Sequence, residues 1–234
     1  QRQMCIRDRF YDVYQKSEWV VCDSKILYLF GKLLKTPIKE AITGSSFFTS
    51  YYMYYHKDDA DCKIFLLGAK ERIAAKAMEH INEKVGHQMV VGAHSLSFGF
   101  EKHEEECEKL VRIVNESGDN VLLIGVGAPK QEKWIMKYRD KMPGVKVFMA
   151  LGATIDFEAG TLKRAPKIWQ KIGMEWLYRC MKEPKRLFKR YLWMICSSSI
   201  TSVSSFWEYT RILSEKSRIT FFGRTYIARL SEGG

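Results

Sequence analysis

The stretch VLLIGVGAPKQEKW, Val121–Trp134, decides the fold. Its opening VLLIG has no period-two alternation, as expected of a strand buried on both faces of a parallel sheet. The run breaks at Gly125 and Gly127 and then meets Pro129. Proline suits the first turn of a helix, where its missing N–H costs nothing. Outward from this point the same pattern repeats. Apolar runs ending in a turn residue occur at Trp19–Cys22, Lys63–Gly68, Gln88–Gly92, Val121–Gly127 and Val145–Gly152. Amphipathic stretches of helical length lie between them at Ser24–Lys35, Ser45–His56, Lys70–Val85, Glu101–Ser117 and Pro129–Lys141. This alternation predicts a doubly wound α/β domain. Ligands of such sheets bind beyond the carboxyl ends of the strands. That rule singles out Asp23, Gly68-Ala69, Gly125–Gln131 and Gly152–Asp156.

Charge divides the chain. Of 38 Lys+Arg and 27 Asp+Glu in 234 residues, Lys163–Gly234 holds 15 basic and 5 acidic, a net of +10 out of +11. The first 162 residues are near neutral, and the tail suits a polyanion, an anionic membrane or phosphate-bearing ligands. With 46% hydrophobic and 13% aromatic residues, a disordered chain is excluded. The six cysteines (Cys5, Cys22, Cys62, Cys107, Cys180, Cys196) form no CxxC pair, which argues against a zinc ribbon or a disulfide scaffold and for a reducing cytosol. The five histidines form no ligand-spaced cluster, so no metal site is expected. Residues 1–9 lack a signal-peptide core and read as non-native or disordered. The charge-free run Tyr191–Trp207 carries six serines and is shorter than the ~20 apolar residues of a spanning helix. An interfacial helix and an ordinary packed helix fit it equally.

Four segments carry candidate chemistry. Gly125–Trp134 is neither a G-x-G-x-x-G fingerprint nor a Walker A loop. It fits either a helix N-terminus with free N–H groups for a phosphate, with Gln131 reaching a sugar hydroxyl or base edge, or a plain tight turn. In GATIDFEAGTLKRAP, Gly152–Pro166, Asp156 and Glu158 would share a face if extended, as a glycosidase pair would; loop-holding is the favoured reading for Asp156. Along MEWLYRCMKEPKRLFKRYL, Met174–Leu192, Arg179, Arg186 and Arg190 fall on one side of a continuous helix, although Pro184 interrupts it. Guanidiniums can clamp a pyrophosphate bidentately, and the interleaved Trp176, Tyr178 and Phe188 favour a binding surface over a solvated face. Asp23 is placed for a general base, or by position more simply for the N-cap of Ser24–Lys35.

Together these segments resemble the WecG/TagA/CpsF glycosyltransferases over about Trp19 to Leu192. The order PKQE, DFEAG-x-x-KRAP, EWLYR-x-x-x-EP-x-R is specific to that family. The resemblance implies a Rossmann-like, mostly parallel α/β sheet with helices on both faces, spanning residues 10–162. It further implies a helical basic C-terminal appendage at 163–192 and a tail at 193–234. It implies a bacterial enzyme of surface-polysaccharide or teichoic acid assembly, at the inner face of the plasma membrane. Such enzymes move an N-acetylmannosamine-type sugar from a UDP donor to a polyprenyl-diphosphate-linked N-acetylglucosamine, with inversion and without metal or cofactor. Carried over by motif, Asp23 is the base, while Gly44, Gly68, Gly125, Gly127, Lys130, Gln131, Arg164, Arg179, Arg186 and Arg190 bind substrate. Three departures stand out. Ser46 replaces an acidic residue, Ala41 replaces an arginine, and an upstream Thr-Pro-Asn segment is absent, which reads as N-terminal truncation. They predict reduced activity, and keep in play a non-catalytic member that stimulates a partner transferase. No helix-turn-helix, zinc-finger or RNP-like signature accompanies the basic tail, so nucleic acid is not an expected partner. Self-association into a homo-oligomer is left open.

Overall fold

The computed structural model describes residues 40–58, 61–70 and 72–162, together with positions 13, 16–20, 22–23, 28–29, 32–33, 35, 165–166, 169, 177–178 and 181. The elements alternate as expected: α1 (Gly44–Asp58), β1 (Ile64–Gly68), α2 (Ile73–Val85), β2 (Val90–His94), α3 (Glu104–Ser117), β3 (Val121–Gly125), α4 (Lys130–Tyr138), β4 (Val147–Ala150) and α5 (Thr154–Glu158). The four strands are parallel in the order β2-β1-β3-β4. The fold is therefore an open, Rossmann-like α/β sheet.

Alternate strand residues serve two cores. Ile64, Leu66, Leu123 and Met149 pack against α1, α2 and α5, whereas Phe65, Leu67, Leu122, Ile124 and Phe148 pack against α3 and α4. Both faces are covered, which is why β1 and β3 are buried at every position. From β1 the chain steps through α2 to β2, then returns over β1 through α3 to reach β3. Right-handed crossovers running in opposite directions put α2 and α3 on opposite faces. The order reverses between β1 and β3, so the ligand crevice of this sheet type lies beyond their carboxyl ends.

At the amino edge, Asn120 locks the register. Its Oδ1 accepts the Lys63 N–H at 3.0 Å, its Nδ2 donates to the Asp61 carbonyl, and its own carbonyl accepts from Lys146 and Val147. Asn82 does the same between α2 and β2, with its Oδ1 accepting from Met89 and Val90.

Several sequence boundaries move. The helix expected at Lys70 starts at Ile73, because Ala69 and Arg72 have φ of 60° and 66°, which a right-handed helix cannot contain. The strand expected to run to Gly127 stops at Gly125, and Gly127 turns with φ 90°. The strand expected at Gln88–Gly92 is Val90–His94. Glu101–Ser117 divides at His103, whose extended φ −106°, ψ 99° separates a 3-10 turn (Phe100–Lys102) from α3. Within the expected strand at Trp19–Cys22, Cys22 forms a parallel bridge with Ala41, and Val21 lies outside the described residues. The expected helix Ser24–Lys35 falls largely outside the described residues, as do residues 1–12 and the whole of 182–234. Among the described residues no helix is long and apolar enough to cross a membrane.

Candidate functional site

The strand ends at the reversal point are built from backbone. Gly68 and Gly125 are register partners on β1 and β3. A Cβ on Gly68 would lie 2.7 Å from the Gly125 carbonyl oxygen, at a φ of 128° that disfavours any side chain. A Cβ on Gly125 would lie 2.8 Å from the Gly152 carbonyl oxygen. The Ala69 N–H donates to the Gly125 carbonyl at 3.3 Å, extending the ladder past the strand end. Glycine is thus required at both positions by the close approach of neighbouring main chain, which lets the ends of β1, β3 and the chain beyond β4 stack tightly under the crevice.

The turn into α4 forms one wall. Ala128–Pro129 is a cis peptide bond. The Lys130 and Gln131 N–H groups both donate to the Gly127 carbonyl, at 3.2 and 3.3 Å. The buried Gln131 side chain folds back on this turn: its Oε1 accepts the Gly127 N–H at 2.9 Å and its Nε2 donates to Glu132 Oε1 at 3.0 Å. The free N–H groups expected here are therefore engaged within the chain at Gly127, Lys130 and Gln131, because a side-chain amide four residues on reaches the first of them and the turn closes on the others. Glu132 is 2% exposed, with Oε2 lacking a partner among the described residues, and burial raises its acid above the usual carboxylate range. Lys130 extends to the rim, where its Nζ lies 2.7 Å from Glu101 Oε1. That contact chiefly holds the Glu101 acid below its ordinary range.

A second group of residues gathers around Glu158, on the α1/α2 face. Its carboxylate accepts Thr49 Oγ1 at 2.6 Å, Tyr52 OH at 3.0 Å and Lys84 Nζ at 2.8 Å. His80 Nδ1 meets the Glu158 carbonyl at 3.0 Å. The shared face that Asp156 and Glu158 would have on an extended stretch does not form. Residues 154–158 are helical, which puts positions two apart about 200° around the axis, and Glu158 is consumed as a clamp between α5, α1 and α2. An open cleft of ≈ 520 Å³ lies beside it, lined by Ser46, Thr49, Lys84, Phe157 and Leu162 among others.

Asp23 is half-buried and follows Cys22, whose carbonyl accepts the Ile42 N–H at 2.9 Å. This brings Asp23 alongside the start of α1. There Thr43 caps the helix: its Oγ1 accepts the Ser46 N–H at 3.3 Å and lies 2.8 Å from Ser46 Oγ. Gly44 is the first residue of that helix, two residues beyond the Ile42 that pairs with Cys22.

Residues 3–209 match the family described as Glycosyl transferase WecG/TagA/CpsF family. The chain belongs to the WecG/TagA/CpsF glycosyltransferases. The match extends beyond the motif-bearing Trp19–Leu192 at both ends. Membership makes the chain a transferase with a sugar donor and an acceptor. In this glycosyltransferase the structure gathers Gly68, Gly125, Gly127, Lys130 and Gln131 at the carboxyl edge of β1 and β3. Arg164, Arg179, Arg186 and Arg190 lie outside the described residues. Among the described residues no group of three His, Cys, Asp or Glu side chains is placed to hold a metal ion, and Cys22, Cys62 and Cys107 are buried. Sequence reasoning missed Thr49, Tyr52 and Lys84, which sit 109, 106 and 74 residues from Glu158. No local spacing signals a contact of that range.

Proposed function

We propose that this transferase moves an N-acetylmannosamine-type sugar from a UDP donor to a polyprenyl-diphosphate-linked N-acetylglucosamine, with inversion and without a metal. The observation that carries the reading is the crevice at the strand-order reversal, where the carboxyl ends of β1 and β3 meet beside the Gln131 turn, in a chain of this family. Such a crevice is where open α/β sheets take nucleotide ligands. Asp23 accepts the proton of the acceptor hydroxyl as it attacks the anomeric carbon. UDP then departs, with its charge balanced by Arg179, Arg186 and Arg190. The basic C-terminal region holds the protein on the inner face of the plasma membrane beside its lipid-linked acceptor.

The test is release of UDP from UDP-N-acetylmannosamine in the presence of lipid-linked N-acetylglucosamine. Asp23→Asn should lower turnover by at least ~100-fold, the low end of what a positioned base contributes, and leave UDP binding intact. Full turnover in that variant removes the base assignment. Replacing the three arginines by Gln should weaken UDP binding, and unchanged affinity removes them from the donor site. Ala41 and Ser46, which stand where the family carries charged residues, favour a second reading as a stimulating partner of another transferase. No UDP release alone, with faster turnover by a co-purified transferase, would decide for it.

A further inference from the structure

Phe98 is fully exposed, at 100%, on the loop that follows β2. A phenylalanine left wholly in water forgoes its own burial free energy, and here the loop around it is not loose. Ser95 Oγ donates to the Lys70 carbonyl at 3.1 Å, tying the loop to the end of β1. Ser97 Oγ is held by both oxygens of Glu106 at 2.7 and 2.8 Å, tying it to α3. Phe100, two residues on, is 2% exposed in the core, and Leu96 packs against the same core. The chain thus anchors both neighbours of Phe98 and leaves the ring outside. The Lys130 ammonium lies 5.3 Å from the ring centroid and is itself fixed by Glu101. Lys130 opens α4, directly after the Gly127 turn, so the ring stands where the loops beyond β2 and β3 meet, across the end of β1.

From this geometry we infer that Phe98 is a stacking platform for the planar base of the nucleoside diphosphate donor, with Lys130 holding the ring at the crevice rim. The inference rests on the proposed nucleotide-sugar donor and adds a base-contacting residue to it. The surroundings of the ring favour a base over a lipid. Its neighbours along the chain, Ser95, Ser97, Gly99, Glu101, Lys102 and His103, add no further exposed apolar side chain, so a single apolar disc is offered, which suits a flat ring with polar edges. A lipid-inserting rim would need several apolar side chains together.

The test is calorimetric titration of UDP, and of inorganic pyrophosphate as a base-free probe, into wild type, Phe98→Ala and Phe98→Tyr. Phe98 has no burial to lose, so the variants should fold as wild type does. Phe98→Ala should bind UDP roughly 5- to 100-fold more weakly, the range of base–aromatic stacking, with pyrophosphate affinity unchanged and Phe98→Tyr close to wild type. Equal UDP affinity in wild type and Phe98→Ala overturns the platform and leaves the donor reading standing. An equal loss for pyrophosphate also overturns it, since the ring would then act through Lys130. Unchanged UDP affinity with lost binding to phosphatidylglycerol vesicles reassigns the ring to lipid. No UDP binding by wild type overturns the donor reading and the platform together.

Discussion

At Glu158 one carboxylate, 7% exposed as a residue, takes hydrogen bonds from three side chains on two helices. Removing it leaves the buried Tyr52 hydroxyl without its acceptor, whereas Thr49 keeps the Ser45 carbonyl at 2.8 Å and Lys84, whose side chain is 50% exposed, can rehydrate. Glu158→Ala should therefore cost about 2–3 kcal/mol in urea denaturation, and Lys84→Ala under about 1 kcal/mol. Equal costs would show that the ion pair, rather than the buried hydroxyl bonds, is what holds α5. The glycines separate as sharply. Gly125→Ala places a Cβ 2.8 Å from the Gly152 carbonyl oxygen and 3.0 Å from Ile155 Cδ1, while a Cβ at Gly152 meets nothing within 4 Å. Thermal melts should show Gly125→Ala destabilised by about 2 kcal/mol or more, as overpacked sites are, and Gly152→Ala near neutral. The sequence marks both glycines alike, as residues after a strand. Only the lateral stacking of β1, β3 and the chain beyond β4 distinguishes them.

Among the elements, the join between α3 and β3 carries a titrating group. Asp119 is 4% exposed, with Oδ1 taking the Ser117 hydroxyl at 2.5 Å and Oδ2 without a partner among the described residues. Burial, only partly offset by Ser117 and its own backbone N–H, pushes its acid up to about 6 from 3.8. Between those values the folded chain keeps a proton that the unfolded chain has released. Stability from this group is thus full at low pH and is lost as pH rises toward about 6. Asp119→Asn should remove that slope, so that wild type loses on the order of 1 kcal/mol more than the variant between pH 4 and 7.5. Parallel urea midpoints across that range would place the titration elsewhere. Strand and helix identities were legible at this scale, since VLLIG and KIFLLG are short apolar runs closed by glycine, as strands buried on both faces are. Helix starts were less so. Nothing local foretold that Ala69 and Arg72 would take left-handed backbone and delay α2 to Ile73.

For the whole molecule, charge separation is the governing feature: a body of net +1 over residues 1–162 joined to a region of net +10. Affinity for anionic vesicles should be carried by that region, falling at least ~10-fold as salt rises from about 0.1 to 0.5 M while the Debye length shrinks. Salt-independent co-sedimentation would point to apolar insertion. Of the candidate site, the sequence marked Gly68 and Gly125 as strand ends and Gly127 and Gln131 as part of the turn and helix that follow, because hydrophobic runs and the glycines that break them are local signals. It also determined the fold class and the family, through motifs whose order survives without coordinates. Only the tertiary structure decided which strand ends meet at the reversal between β1 and β3. It likewise decided that Gln131 closes on the Gly127 N–H, and that Glu158 faces Thr49, Tyr52 and Lys84 rather than pairing with Asp156. Those outcomes depend on contacts between residues far apart in the chain, and periodicity is blind to contacts that only the closing of the sheet and the packing of its helices bring about.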